Sequence, residues 1–180
     1  GSTQANGIAI DAHGNGTHTV SITNNTIRRC FDRGISVLAN DGNGVLNMTV
    51  SGNVIKEQLD TDAMNGTPRE AFILVAGATS TNVFGLIDSH AVCLNLTSTS
   101  GNMVGGAFKT GDVRIRQRFR TSVALPGYTP PGGNHFDAAS VITFLQGNNP
   151  GATATVTVND DAGVTTDGFF ASGGCAVPAR

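Results

Sequence analysis

The feature that most constrains this chain is that its first sixty residues say the same thing twice. Gly7-Ile8-Ala9-Ile10 returns as Gly34-Ile35-Ser36-Val37, each followed by a polar corner, Asp11-Ala12-His13-Gly14-Asn15-Gly16 and then Ala39-Asn40-Asp41-Gly42-Asn43-Gly44. Alternating segments come next, Val20-Ser21-Ile22-Thr23 and Met48-Thr49-Val50-Ser51, and after them Asn25-Thr26-Ile27 and Asn53-Val54-Ile55. Asn25 to Asn53 and Ile27 to Ile55 are steps of 28 residues, Gly7 to Gly34 a step of 27. A more divergent third copy starts at Phe72-Ile73-Leu74-Val75, returns at Cys93-Leu94-Asn95-Leu96-Thr97 and ends at Gly101-Asn102-Met103-Val104, which leaves residues 60–69 as an insertion. A period near 28 made of short strands and Gly/Asn corners is the pattern of a parallel β-helix. One coil cannot bury its inward side chains alone, and the next coil covers them while pairing its strand edges. The alternation turns Val20 and Ile22 inward and Ser21 and Thr23 outward. Corner asparagines such as Asn25 and Asn53 would stack, tolerating left-handed backbone and bonding neighbouring amides. An antiparallel sandwich is also Gly/Thr-rich with short strands, but nothing in a sandwich asks for corners at fixed spacing.

Composition points the same way. Gly, Asn, Thr and Ser supply 72 of the 180 residues, charged residues only 13%, and Trp is absent. So few Leu, Glu, Lys and Arg argue against a helical bundle or a doubly wound α/β fold. Low charge with 39% hydrophobic residues in short blocks argues against disorder. No apolar run approaches the length of a membrane-spanning helix. Gly1-Ser2 reads as a cloning scar, and the chain as the C-terminal piece of a longer protein.

After Gly105 the repeat breaks. Asp112 to Phe119 alternates strongly, a turn-rich stretch runs from Leu125 to Gly133, and Asp137 can cap a helix from Ala138 to Gln146 with Gly147 as its stop. Ala152 to Val158 reads as a further strand. The open end of a β-helix must be covered, and a helix with a few irregular strands would cover it.

The run Val113-Arg114-Ile115-Arg116-Gln117-Arg118-Phe119, then Leu125-Pro126-Gly127-Tyr128, Asp137-Ala138-Ala139, Gly147-Asn148-Asn149-Pro150 and the terminal Gly173-Gly174-Cys175-Ala176-Val177-Pro178 resembles the C-terminal region of large bacterial surface proteins built from repetitive β-strands. The coils ahead of it resemble the right-handed, pectate-lyase-like β-helix superfamily. The fold then expected is all-β: a right-handed parallel β-helix of about three to four coils over residues 1–104, and in the same domain a C-terminal cap over 105–180 with one short α-helix. The resemblance implies an exported, extracellular or cell-surface, adhesin-like protein and carries over no catalytic residue.

Four arginines are the sharpest candidate site. Arg114, Arg116, Arg118 and Arg120 alternate, so on one strand they would stand on one face about 6.6–7 Å apart. Such a ladder could hold an acidic polysaccharide or another cell-surface polymer, or its members could pair internally with Asp112, Asp137, Asp160 or Asp161. Asp60, Asp62, Asn65 and the later Glu70 have the alternating oxygen donors of a calcium loop without matching an EF-hand, and a solvated insertion explains them as simply. Among the three cysteines, Cys30 reads as a small buried apolar residue, while Cys93 and Cys175 lie where a bridge would close the fold. That bridge is worth roughly 4.5 kcal/mol in the chain-entropy model.

The function expected is a non-enzymatic structural or adhesive module with no specific nucleic-acid partner, attached to the N-terminal remainder of its parent. A polysaccharide lyase or glycoside hydrolase is the alternative, with Asp11, Asp32 and Asp41 as scattered carboxylates of unknown separation. A phage tail-fibre fragment is the third reading. His13, His18, His90 and His135 show neither metal-ligand spacing nor a triad partner.

Overall fold

The computed structural model describes residues 6–28, 30, 32–56, 70–78, 88–102, 112–159 and 164–178. The strands are β1 (Ile8–His13), β2 (Thr17–Thr23), β3 (Thr26–Arg28), β4 (Ile35–Asn40), β5 (Val45–Ser51), β6 (Val54–Lys56), β7 (Phe72–Ala76), β8 (Ala91–Thr97), β9 (Ser100–Asn102), β10 (Val113–Gln117), β11 (Ser122–Pro126), β12 (Ala154–Thr157) and β13 (Gly168–Ser172). One helix, α1 (Ala138–Asn148), interrupts them. Among the described residues the protein is all-β apart from that helix and one 3-10 turn at Pro131–Gly133, and every strand pairing is parallel. Among the described residues no helix is long and apolar enough to cross a membrane.

Three sheets form, ordered β1-β4-β7-β10-β12, β2-β5-β8-β11-β13 and β3-β6-β9. Consecutive strands therefore go to different sheets, and each comes to lie beside its counterpart one repeat earlier. The register follows the repeat: Ile8 faces Ile35, Val20 faces Met48 and Ile27 faces Ile55. Because side chains alternate along a strand, in-register pairing stacks like upon like into continuous rows. One inward row runs Ile8, Ile35, Phe72, Val113, Ala154 and the next Ile10, Val37, Leu74, Ile115, Val156, each buried at its middle three positions and partly buried at its ends. These rows and those of the second sheet form one apolar core.

The corners are fixed by side-chain amides. The Asn53 Oδ1 accepts from the Asn25 backbone N–H at 3.0 Å, and its Nδ2 donates to the Ile22 carbonyl at 2.7 Å. Asn149 repeats this two strands further along the same register. Its Oδ1 accepts from the Thr99 N–H at 2.9 Å, and its Nδ2 donates to the Leu96 carbonyl at 3.1 Å. Since Leu96 aligns with Val50 and Ile22, the end of α1 is seated on the corner by the bonds that one repeat uses to hold another.

Three sequence expectations need correction. The helix does not stop at Gly147: it continues to Asn148, because the Asn149 backbone N–H closes the last turn onto the Leu145 carbonyl at 3.0 Å, with its Nδ2 donating to the same oxygen at 2.9 Å. The strand expected from Asp112 to Phe119 ends at Gln117, since Phe119 is left-handed with φ 47°. And the strands after residue 105 continue the sheets: β10 pairs with β7, and β11 with β8. β11 and β13 themselves were hidden among turn residues in the sequence.

Candidate functional site

Outward positions of β10 carry Arg114 and Arg116, in register with Thr155 and Thr157 of β12 on one side and with Ile73 and Val75 of β7 on the other. Arg118 follows just past the strand, its N–H still bonded to the Ala76 carbonyl at 2.9 Å. Arg120 is exposed on the turn beyond. The row of four on one strand is thus a row of two, with a third arginine at its end and the fourth carried away by the turn at Phe119.

These arginines are not electrostatically alike. The Arg114 Nη1 meets the Glu70 Oε1 at 2.9 Å, and the Arg33 Nε meets the Glu70 Oε2 at 3.2 Å. Arg33 also pairs with Asp32 at 3.0 Å. Glu70, with its side chain 3% exposed, therefore neutralises Arg114 and ties it to Arg33 and, through Arg33, to Asp32. Among the described residues Arg116 and Arg118 enter no ion pair. Partial burial, and then the positive charges of Arg114 and Arg118, push the Arg116 guanidinium below its ordinary value; Glu70 opposes this and Arg33 adds to it. Partial burial followed by Arg114 does the same to Arg118. Both stay charged, since a guanidinium is not deprotonated in proteins.

Arg114, Arg116 and Arg118 line an open recess of about 370 Å³ with Thr157, Val158 and Asn159. Its far rim is held by Gln117, which points to the buried side of the sheet. The Gln117 Nε2 donates to the carbonyls of Phe119 at 2.9 Å and Thr121 at 2.8 Å, while Oε1 accepts from the Asn159 N–H at 3.1 Å. A fully buried amide thus sets both the turn that follows Arg118 and the position of Asn159. Nothing in the sequence marks Gln117, because in an alternating strand it occupies a core position, where a carboxamide looks out of place.

The other candidates stand apart. Asp60, Asp62 and Asn65 lie outside the described residues, and Glu70 has an arginine on each carboxylate oxygen, which a calcium ion would have to displace. Among the described residues no three of His, Cys, Asp and Glu gather as a metal-binding group. Asp41 lies 3.5 Å from His13, Asp32 belongs to the Arg33 cluster, and Asp11 is exposed on β1. Of the expected internal partners for the ladder, Asp112 instead accepts from the Thr153 N–H at 2.7 Å and Asp137 caps α1; Asp160 and Asp161 lie outside the described residues.

Cys93 and Cys175 are joined, S–S 2.07 Å, across 82 residues, so the chain after β13 is tied back to β8. Cys30 is buried, and its burial pushes the thiol pKa up. His90 is 1% exposed, and neither ring nitrogen closes a hydrogen bond. Burial lowers its pKa, with smaller opposing influences from Asp88 and the Gly42 backbone and reinforcing ones from His13 and His18.

No protein-family model, curated protein or solved structure matches the chain.

Proposed function

We propose that the three sheets are the walls of a right-handed parallel β-helix, three full coils and two partial ones, and that this is a non-enzymatic adhesive module of an exported bacterial surface protein. The winding is supported by the strand order, in which each sheet takes one strand from each repeat, and the hand by the strong preference of parallel crossovers for the right-handed sense. The resemblance of the C-terminal motifs to bacterial surface proteins supports the setting, outside the cell and joined to further N-terminal coils.

The observation that carries the binding reading is the contrast on β10: Arg114 is neutralised by Glu70, whereas Arg116 and Arg118 present their charge to a recess lined with hydroxyl and amide groups. Guanidinium groups offer carboxylates paired donors in a fixed plane, and Thr157 and Asn159 suit the neighbouring hydroxyls of a sugar. An acidic polysaccharide satisfies both.

Polygalacturonate is a suitable probe. Binding should be measurable by calorimetry at low salt and fade near 0.5 M, where the screening length is about 4 Å. The double variant Arg116→Gln/Arg118→Gln should lose about tenfold or more in affinity while its melting temperature stays close to that of the parent, because partly exposed charges contribute little to stability. A parent protein that ignores polyanions at low salt overturns the reading. So does a double variant that unfolds, which would make the two arginines struts of the fold.

A further inference from the structure

The two ends of the stack are built differently, and the N-terminal end carries the marks of an internal junction. β1, β2 and β3 are each the last strand of their sheet. Of their inward side chains Ala12 and Ile22 are buried, but Ile8, Ile10, Val20 and Ile27 are only partly so, while the residues beside those four one repeat on, Ile35, Val37, Met48 and Ile55, are 0%, 1%, 0% and 0% exposed. An edge of this kind, apolar inside and, among the described residues, unpaired along all three strands, is the surface on which this protein seats its own repeats, β4–β6 upon β1–β3 and β7–β9 upon β4–β6.

The entry to β1 says how such a repeat would be attached. At Gly34 the chain passes from one repeat to the next: the Gly34 N–H bonds to the Glu70 carbonyl at 3.3 Å and the Ile35 N–H to the Ala71 carbonyl at 2.8 Å. Gly7 and Ile8 make the same pair of bonds one repeat earlier, to the Arg33 carbonyl at 2.9 Å and the Gly34 carbonyl at 2.9 Å. The steric requirement is also the same. A Cβ on Gly34 would meet the Ala71 carbonyl oxygen at 2.5 Å and Ile55, and one on Gly7 would meet the Gly34 carbonyl oxygen at 2.6 Å and Ile27. Just ahead of Gly7, the Asn6 Oδ1 is buried with no hydrogen-bond partner. The polypeptide thus reaches β1 along the path by which, at Gly34, it arrives from a completed coil.

We infer that the open N-terminal face is the seat of one more coil of the same repeat, delivered in cis through the backbone at Gly7. It would pair parallel with β1, β2 and β3 and lay apolar side chains over Ile8, Ile10, Val20 and Ile27. The inference rests on the β-helix reading above, and it concerns a surface remote in sequence from Arg116 and Arg118.

The repeat supplies its own test. Residues 7–33 duplicated directly ahead of Gly7 recreate the Arg33–Gly34 junction as Arg33–Gly7. In a parallel ladder alternate amides point to opposite neighbours. Since the Ile8 N–H is bonded toward β4, those of Ala9 and Asp11 point to the open side. Their hydrogen exchange should slow by at least about tenfold, toward the protection of Ser36 and Leu38, which already have a neighbour on that side. Ile10→Lys should abolish the gain in the duplicated chain and change little in the parent. The 27-residue segment added in trans as a peptide gives a second reading should the duplicated chain not fold. Unchanged exchange at Ala9 and Asp11 in both formats overturns the inference. So does protection that the parent acquires alone on concentration, with dimers in sedimentation, since that assigns the face to a second copy. Retained polyanion binding alongside either result would leave the adhesive reading standing.

Discussion

The first and last strands of this protein solve the same problem in opposite ways. In the β-helix proposed above the stack has two exposed ends, each an array of unpaired backbone groups over an apolar cross-section. At the C-terminal end the chain doubles back to cover the array. The Phe169 N–H of β13 bonds to the His135 carbonyl at 2.8 Å, the His135 Nδ1 lies 3.0 Å from the Phe169 carbonyl, and the His135 ring stacks on Phe170. Gly168, with φ 96°, makes room: a Cβ there would meet the His135 carbonyl oxygen at 2.6 Å. Helix α1 adds Val141 and Leu145 to the core, and its neighbour Asn149 locks onto the corner. Apolar burial does not separate the two ends: Ile8, Ile10, Val20 and Ile27 at the N-terminal end are half-covered, and so are Ala154 and Val156 of β12 at the other. Burial alone therefore does not terminate such a stack. The C-terminal end is closed by polar groups that occupy the edge, and among the described residues none occupies the outer edge of β1, β2 and β3.

The disulfide is the largest lever on this contrast. Cys93→Ser releases the tail from β8, and loss of a native bridge typically costs about 2–5 kcal/mol. Urea denaturation should show a loss in that range. Thiol counting on the denatured, unreduced parent should find one sulfhydryl, Cys30, and three would refute the bridge. Hydrogen exchange should accelerate first in β11 and β13, leaving β1–β3 as they were. Next come the asparagines. Asn149→Ala removes three buried side-chain bonds and strips the Thr99 N–H and the Leu96 carbonyl of that partner, while the Leu145 carbonyl keeps the Asn149 backbone N–H, so a loss of about 2–4 kcal/mol is expected. Asn25→Ala, at the exposed counterpart position, should cost less than about 1 kcal/mol in the same denaturation experiment. Equal costs would mean that the two ends are not different in kind.

How much of this could be read from the sequence follows from which signals are local. The step from Gly7 to Gly34 and from Ile27 to Ile55 became strand register because stacking like on like requires equal spacing. The Cys93–Cys175 bridge and the Asp137 cap were legible for similar reasons, one from position in the chain and the other from side-chain chemistry. The continuation of the sheets beyond residue 105 was not, since β10 alternates arginine with Val and Ile as any exposed strand does, and nothing local shows that its partner is β7. Asn149 escaped notice as the equal of Asn53 because a helix, not a strand, leads into it. Glu70 was read with the carboxylates before it, although its partners Arg33 and Arg114 lie 37 and 44 residues away. Long-range charge pairing leaves no periodic trace. The half-filled arginine row could therefore be seen as a row but not divided into its neutralised and its available members.

The smallest effect expected lies between the two ends, at the position just before the second-sheet strands. Toward the N-terminus this position is Gly16 and Gly44, and toward the C-terminus it is Thr121, whose hydroxyl reaches the Ala76 carbonyl at 3.0 Å. His90 stands between them, buried and without a hydrogen-bond partner on its ring. Its pKa in the folded protein is lowered from 6.5, chiefly by burial. The unfolded chain therefore takes up the proton first as the pH falls. The stabilisation associated with neutral His90 is complete above about pH 6.5 and declines below it, with a slope that for one proton cannot exceed about 1.4 kcal/mol per pH unit. His90→Leu removes the titrating group and its unsatisfied nitrogens, so stability at pH 7.5 should be equal or slightly higher. Urea midpoints at pH 7.5, 6.5 and 5.5 should fall more steeply for the parent than for the variant. Parallel pH profiles would assign the acid sensitivity to other groups, and a steeper fall in the variant would reverse the sign argued for His90.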